Sequence, residues 1–256
     1  MHKFFTQDIT EMTARITGDD VKHAWKVLRL KEGDRVLVND LDGQDYQGEI
    51  RSINKTEVVV SLDEKIAQTN ESPLELTIFQ GLPKGQKMEL VCQKLTELGA
   101  VRLVPLITQR VIPEVRSEYK KLDRLRRITL EAGKQSMRSR IMKVAEPIEL
   151  TELEQEMRGL DLILVPYENQ EGTGLAGCED EIRASRRIGI VVGPEGGFES
   201  SEIQWLQENG ARIITLGPRI LRTETCALSV VSILQYIAGD MAGVRPAKEE
   251  LHESRV

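Results

Sequence analysis

In Ile214-Thr215-Leu216-Gly217-Pro218-Arg219-Ile220-Leu221-Arg222-Thr223-Glu224-Thr225-Cys226-Ala227-Leu228, an apolar run ends in glycine. A short loop carrying Arg219, Arg222 and Glu224 then leads into an apolar helix. Thr223 or Thr225 can cap that helix, and Glu224 near its start suits the macrodipole. Arg222 does not fit this account. A cation at the positive end of a helix is unfavourable unless an anionic group binds beside it. The chemistry suggested is the balancing of negative charge.

A second segment, Ile188-Gly189-Ile190-Val191-Val192-Gly193-Pro194-Glu195-Gly196-Gly197-Phe198, runs an apolar strand straight into a glycine-rich loop. Ligands of parallel α/β sheets sit beyond the carboxyl ends of strands. Glycines there let backbone N–H groups approach a ligand without interference from Cβ. A plain strand-to-helix turn is the simpler alternative. Ser201, with Gln204 three residues on, predicts a capping box for the next helix. The GxxGG spacing differs from the GxGxxG of dinucleotide sites, and the chain has no GxxxxGK[ST] phosphate loop. Nucleotide-dependent chemistry is therefore disfavoured. The two glycine loops are expected to come from neighbouring strand ends and to form one pocket.

A third segment is basic. The chain carries a net charge of -6, yet Arg110 to Lys143 holds eleven basic residues against four acidic ones. Lys120, Arg124, Arg127, Glu131, Lys134 and Arg138 recur at spacings of four and three, so they share one helix face. Leu122, Leu125, Ile128, Thr129 and Ala132 form the opposite, buried face. A solvated surface would look similar, but one acid among five cations fits phosphate contact better. Such contact weakens steeply with salt.

The elements that position these segments fall into two regions. Residues 1 to about 63 read as small-barrel β structure with one helix. Gly18-Asp19-Asp20 opens that helix, whose predicted buried face is Val21, Trp25 and Leu28. Strands over 35–38, 46–53 and 56–62, separated by short turns, favour antiparallel pairing. Ala67 to Pro73 is polar, ends in proline and reads as a linker. After it, predicted strands at 76–80, 101–107, 160–165, 188–192 and 212–216 alternate with helices at 86–98, 117–137, 201–209 and 224–239. That rhythm indicates an α/β domain with a mostly parallel sheet. The last helix is apolar around most of its girth, which fits either a core helix or a two-fold interface. The domains expected are 1–70 and 71–245, with a polar tail at 246–256.

Composition narrows the class. The longest apolar segment, Cys226 to Ala238, is shorter than the roughly 20 residues of a membrane span and is interrupted by polar residues. The first residues show no secretory h-region, so a cytoplasmic protein is expected. Cys92, Cys178 and Cys226 are scattered and odd in number, as are His2, His23 and His252. No disulfide framework and no metal site is expected.

GPEGGF followed by LGPRILRTETCAL resembles the SPOUT superfamily of methyltransferases. Within it, the chain is similar to the 16S ribosomal RNA uracil-N3 methyltransferase family. Met1 to Phe5, His23 to Arg29, Lys84 to Glu89, Gln93 to Gly99 and Glu131 to Arg138 extend the likeness over nearly the whole length. Lys3 stands where arginine is expected, Met137 where glycine is common, and Cys226 where alanine is usual. The resemblance implies an N-terminal PUA-like RNA-binding β-barrel and a C-terminal α/β domain, with helices on both sheet faces, tied in a trefoil knot. It implies a homodimer, with S-adenosyl-L-methionine held at the knot. The cofactor should meet Leu164 and Val165, then Val192, Gly193, Pro194, Glu195, Gly196 and Gly197, then Leu216, Gly217, Ile220, Leu221 and Arg222. Candidate RNA contacts are Lys3, Lys22, His23, Arg29, Lys84, Lys87, Arg110, Lys120, Arg124, Arg127, Lys134 and Arg138.

Uracil N3 carries a proton, so its methylation requires a base and stabilisation of the resulting anion. Arg222 or Arg138 is expected to stabilise the anion, and Glu195 or Glu224 to take the proton. N3 lies on the pairing edge, so the target uridine must be unpaired or flipped out. Ribose 2′-O-methylation is the sister alternative, and a non-catalytic RNA-binding protein is the alternative from another class. The expected partner is 16S ribosomal RNA within the small subunit.

Overall fold

The computed structural model describes residues 1–67, 70–111, 121–168 and 174–243. Lys120, the start of the predicted 117–137 helix and the 246–256 tail lie outside these residues. The chain folds as two compact units: Met1–Glu71 with Thr129–Met142, and Ser72–Ile128 with the chain from Lys143 onward.

Six strands build the first unit: β1 (Lys3–Phe5), β2 (Ile9–Thr10), β3 (Thr13–Thr17), β4 (Arg35–Asn39), β5 (Asp45–Ile53) and β6 (Glu57–Ile66), in the order β1-β4-β5-β6-β3-β2. As alternation predicts, β4, β5 and β6 pair antiparallel, whereas β1 joins β4 in parallel. Register shifts at Gln47/Gly48 and Ile50/Ser52 coil β5 against β6. Gly48 permits that approach, since a Cβ there would lie 2.4 Å from the Ser61 carbonyl oxygen. The curled sheet encloses Phe4, Ile16, Val36, Val38, Ile50, Val58 and Val60.

Helix α1 (Asp19–Lys22) passes directly into a π-helical turn, His23–Val27. The wider turn rotates the residues that follow. Val21 is buried as expected, Ala24 is buried beside it, and Trp25, expected inside, is 40% exposed.

Charged groups are buried in the first unit. Lys3 Nζ lies 2.8 Å from Asp45 Oδ2, with side chains only 2% and 5% exposed. Asn39 Nδ2 donates to Asp45 Oδ1 and to the Ser139 carbonyl. Arg138 pairs with Glu71 at 2.7 Å, and Glu71 also accepts the N–H groups of Ser139 and Arg140. Met137, beside them, has φ 60°, the left-handed region that favours glycine.

The second unit is a parallel sheet of β7 (Glu75–Gly81), β8 (Arg102–Ile107), β9 (Lys143–Val144), β10 (Ile148–Glu149), β11 (Leu162–Pro166), β12 (Arg187–Val192) and β13 (Arg212–Ile214). The order is β10-β8-β7-β12-β11-β13, with β9 also on β8. Its helices are α2 (Lys87–Glu97), α3 (Leu122–Gln135), α4 (Leu153–Met157), α5 (Glu179–Ala184), α6 (Ser200–Glu208) and α7 (Thr223–Ile237). Of these, α3 contributes to both units, changing at Ile128/Thr129. Phe79, Val165 and Val191 pack on one sheet face with Leu153, Ile203 and Leu206 from α4 and α6. On the other face α7 packs against β7, β12 and α2. Burial on both faces explains the unbroken apolar strands. Among the described residues no helix is long and apolar enough to cross a membrane.

Two expectations change at the loops. β12 and β13 are not neighbours, because β11 lies between them. Helix α6 begins earlier than predicted and is capped by Glu199 and Glu202 in a capping box, leaving Ser201 inside the helix. Helix α7 follows Arg222, whose backbone is extended, and no side chain caps it.

Candidate active site

The carboxyl ends of β7, β11 and β12 converge on the start of α7. β11 ends at Pro166 with Glu168 just beyond it, Gly193, Pro194, Glu195, Gly197 and Phe198 follow β12, and Ile220, Leu221 and Arg222 lead into Thr223, the first residue of α7. Together with Val192, Lys87 and Cys226 they line a cleft of about 310 Å³. A smaller depression adjoins it, lined by Thr215, Leu216, Gly217 and Arg219 and sharing Pro166, Glu168, Ile220, Leu221 and Cys226. The Gly193 and Gly217 loops thus line two adjoining depressions that share five residues, with the end of the strand between them contributing to both.

Close backbone approach shapes the walls. A Cβ on Gly81 would lie 2.5 Å from Pro194 N, so the end of β7 can lie against the Gly193-Pro194 turn only as glycine. Gln80, fully buried, donates from Nε2 to Thr223 Oγ1 at 2.8 Å and to the Gly81 carbonyl at 3.0 Å. The Thr223 hydroxyl in turn donates to the Gly193 carbonyl. With its hydrogen used there, Thr223 can only accept from Gln80, which fixes the amide's orientation. Gln80 Oε1 is buried with no hydrogen-bond partner.

Charge is concentrated at the rim. Lys87 Nζ lies 2.9 Å from Glu195 Oε1 and 3.7 Å from Glu224 Oε2. The Lys84 N–H also donates to Glu195. Burial raises the Glu195 pKa, but the hydrogen bonds from Lys87 and the backbone outweigh it, so the carboxyl is held below its ordinary range. The hydrogen bond to Glu195 holds the Lys87 ammonium above its ordinary range. Burial, followed by the nearby Glu168 carboxylate, pushes the Cys226 thiol up to about 12.

The expected site residues are distributed unevenly. Val192, Gly193, Pro194, Glu195, Gly197, Ile220, Leu221 and Arg222 line the cleft, and Leu216 and Gly217 line the adjoining depression. Leu164 and Val165 do not, because both are fully buried in the sheet. β11 runs on to Pro166, so Pro166 and Glu168 take the strand-end positions. Gly196 packs against Arg110. Glu224 reaches the cleft rim through Lys87.

Several expected RNA contacts are otherwise engaged. Lys3 and Arg138 are buried in the first unit, each held by a carboxylate, so neither presents its charge at a surface. Arg138 also lies beyond the end of α3, off the expected stripe, and in the other unit from the cleft. Arg110 grips Glu199 and the Gly196 carbonyl. Arg124 pairs with Glu89, and Lys134 with Asp20. Lys22, His23, Arg29, Lys84 and Arg127 are exposed.

Residue types and spacing did not flag Gln80, Glu168 or Thr223 as cleft residues. Extending β11 to Pro166 would have exposed Glu168, by the same strand-end rule that found Gly193. Nothing in the sequence ties Gln80 to Thr223.

The cleft suits a small ligand with an apolar ring and several polar groups. Val192, Pro166, Phe198, Ile220 and Leu221 supply apolar walls, glycines expose backbone, and Glu168, Arg222 and Lys87 supply charge of both signs.

A family profile described as RNA methyltransferase domain matches residues 70–235, and one described as RNA methyltransferase PUA domain matches residues 16–63. The chain is 35% identical to ribosomal RNA small subunit methyltransferase E of Bacillus subtilis, covering 88% of this chain and 90% of that one. It is 31% identical to the protein of the same name from Aquifex aeolicus, covering 91% and 99%. Among solved structures, ribosomal RNA small subunit methyltransferase E from Neisseria gonorrhoeae, bound to S-adenosyl methionine, is 29% identical. It aligns with TM-score 0.79 over 94% of this chain and 99% of that one.

Proposed function

The chain belongs to the RNA methyltransferase family that includes ribosomal RNA small subunit methyltransferase E, and on that premise we propose that it methylates N3 of one uridine in 16S ribosomal RNA. It is an S-adenosylmethionine-dependent enzyme acting on ribosomal RNA. The observation that carries the site assignment is the pair of adjoining depressions at the Gly193 and Gly217 loops, which share five lining residues.

Bound S-adenosylmethionine supplies an electrophilic methyl group; the protein must bind, orient and balance charge. The apolar walls at Val192, Ile220 and Leu221 and the backbone at Gly193, Gly197 and Gly217 would hold it. Arg222, at the cleft and at the positive end of α7, stabilises the uracil anion as the N3 proton leaves. Between the two candidate bases, Glu224 is favoured. Glu195 accepts hydrogen bonds from Lys84 and Lys87, whereas Glu224 Oε2 accepts none and has only a longer ion pair with Lys87 at 3.7 Å. That carboxylate would take the N3 proton, and a bound cofactor would supply the methyl group, its sulfonium–methyl bond breaking to leave a neutral thioether.

We further propose that the enzyme acts in the cytoplasm as a homodimer on the small ribosomal subunit. The exposed Ile233 and Tyr236 on the apolar helix α7 support a contact between copies. Purified protein, labelled S-adenosylmethionine and small subunits lacking the modification test the proposal. Label should map to a single uracil base, and label on a ribose, or none, overturns the reading.

A further inference from the structure

Trp25 stands exposed on the π-helical turn, with Val27 beside it at 66% exposure. The turn that carries the indole is fixed. Val21 and Ala24 are buried, and the N–H groups of Leu28 and Leu30 donate to the His23 and Ala24 carbonyls at 3.0 Å. π-Helical turns occur frequently at functional sites.

The segment that carries it is basic, up to the acids Glu32 and Asp34. From Val21 to Lys31 the chain has no acidic residue, and Lys22, Lys26 and Arg29 are all exposed. Lys55 Nζ lies 5.8 Å from the Trp25 ring centroid. The nearest preceding acids are engaged: Asp20 pairs with Lys134 at 3.0 Å and Asp19 faces Lys22 at 3.5 Å. A flat aromatic face among cations complements a base with its phosphates. It repels a cationic partner.

We infer that Trp25 is a stacking platform for an unpaired RNA base, with Lys22, Lys26 and Arg29 holding the adjacent phosphates. The inference rests on the RNA substrate proposed above and adds a contact made by the first unit alone. Stacking requires a base that is free of its duplex, so the site selects single-stranded RNA next to the target.

The test uses the full chain and a short fluorescein-labelled oligouridylate, titrated at several salt concentrations. Trp25→Ala should weaken binding about tenfold with an unchanged salt slope, because stacking releases no counterions. Trp25→Tyr should retain most of the affinity. Lys26→Ala should instead flatten the salt slope. A duplex of the same length should lose little affinity in Trp25→Ala. S-adenosylmethionine binding by calorimetry should be unchanged.

Unaltered oligouridylate affinity in Trp25→Ala overturns the inference, as does a loss accompanied by a flattened slope. So does a variant whose self-association alone changes in sedimentation, which would make the patch a contact between copies. If the wild type binds no RNA, the proposed function fails with it. If the wild type methylates small subunits and Trp25→Ala does so equally at limiting RNA, only the stacking role fails.

Discussion

The Thr223 hydroxyl donates to the Gly193 carbonyl at 2.6 Å, joining the first residue of α7 to the loop that follows β12. Because Gln80 donates to the same hydroxyl, three elements are held at fixed spacing around the cleft. Thr223→Val keeps the shape and removes both bonds. It should weaken S-adenosylmethionine binding by up to about thirtyfold, as expected for two buried hydrogen bonds of roughly 1 kcal/mol each. Thr223→Ser should restore it. Calorimetry on the two variants checks this, and equal affinity in the valine variant would remove the clamp from the account.

Arg138 and Glu71 form a buried pair with side chains 3% and 10% exposed. Removing one partner strands the other charge, which costs about 3–5 kcal/mol. Arg138→Ala should therefore lower the unfolding midpoint in denaturant substantially. Arg138→Met combined with Glu71→Gln should recover much of that loss, because the amide oxygen can still accept from the Ser139 and Arg140 N–H groups. An alanine variant as stable as wild type would return Arg138 to the list of residues free to act on substrate.

Met137 places a side chain at φ 60°. Left-handed backbone costs an ordinary residue about 1 kcal/mol, which glycine avoids. Met137→Gly should thus be neutral to stabilising, although glycine substitutions elsewhere destabilise. Thermal unfolding of the variant decides this: a lower midpoint means the Met137 side chain contributes more than its backbone costs.

Lys87 and Glu195 shift in opposite directions, and the pH window follows from both. Glu195 is depressed below 4.5, so its contribution is present above that pH and is lost as pH falls through the folded value. Lys87 is raised above 10.5, so its contribution is present below that pH and is lost as pH rises through the folded value. Lys87→Met should lower the melting temperature across the neutral range, and the gap should close at both extremes. A gap independent of pH would indicate lost packing of the alkyl stem instead of lost charge.

These pairs show which parts of the molecule could be read in advance. β7, β8 and β12 are long apolar runs, and α2 and α7 carry clear helical periods, so local pattern reveals them. β2, β9 and β10 are two residues long, too short to show any period. The order β12-β11-β13 depends on crossovers that local pattern does not encode. Lys3 and Arg138 read as surface cations because their partners, Asp45 and Glu71, are 42 and 67 residues away. The burial of Ala24 in place of Trp25 arises from one π turn, which a regular helical period cannot anticipate. Glu168 escaped notice because the strand expected to end at Val165 continues to Pro166.

Arg222 allows a test in which activity and stability move in opposite directions. It lines the cleft and sits at the positive end of α7, where a cation opposes the helix dipole. Its side chain is exposed, so its removal leaves no cavity. Arg222→Ala should melt at the wild-type temperature or slightly above. Turnover should fall about 100-fold or more, the scale for losing one preorganised donor to a developing anion. Arg222→Lys should recover only part, because an ammonium keeps the charge without the planar fork. Structural damage would lower stability and activity together, so a stable, inactive alanine variant isolates the electrostatic role. Full turnover on small subunits would show that another group balances the uracil anion.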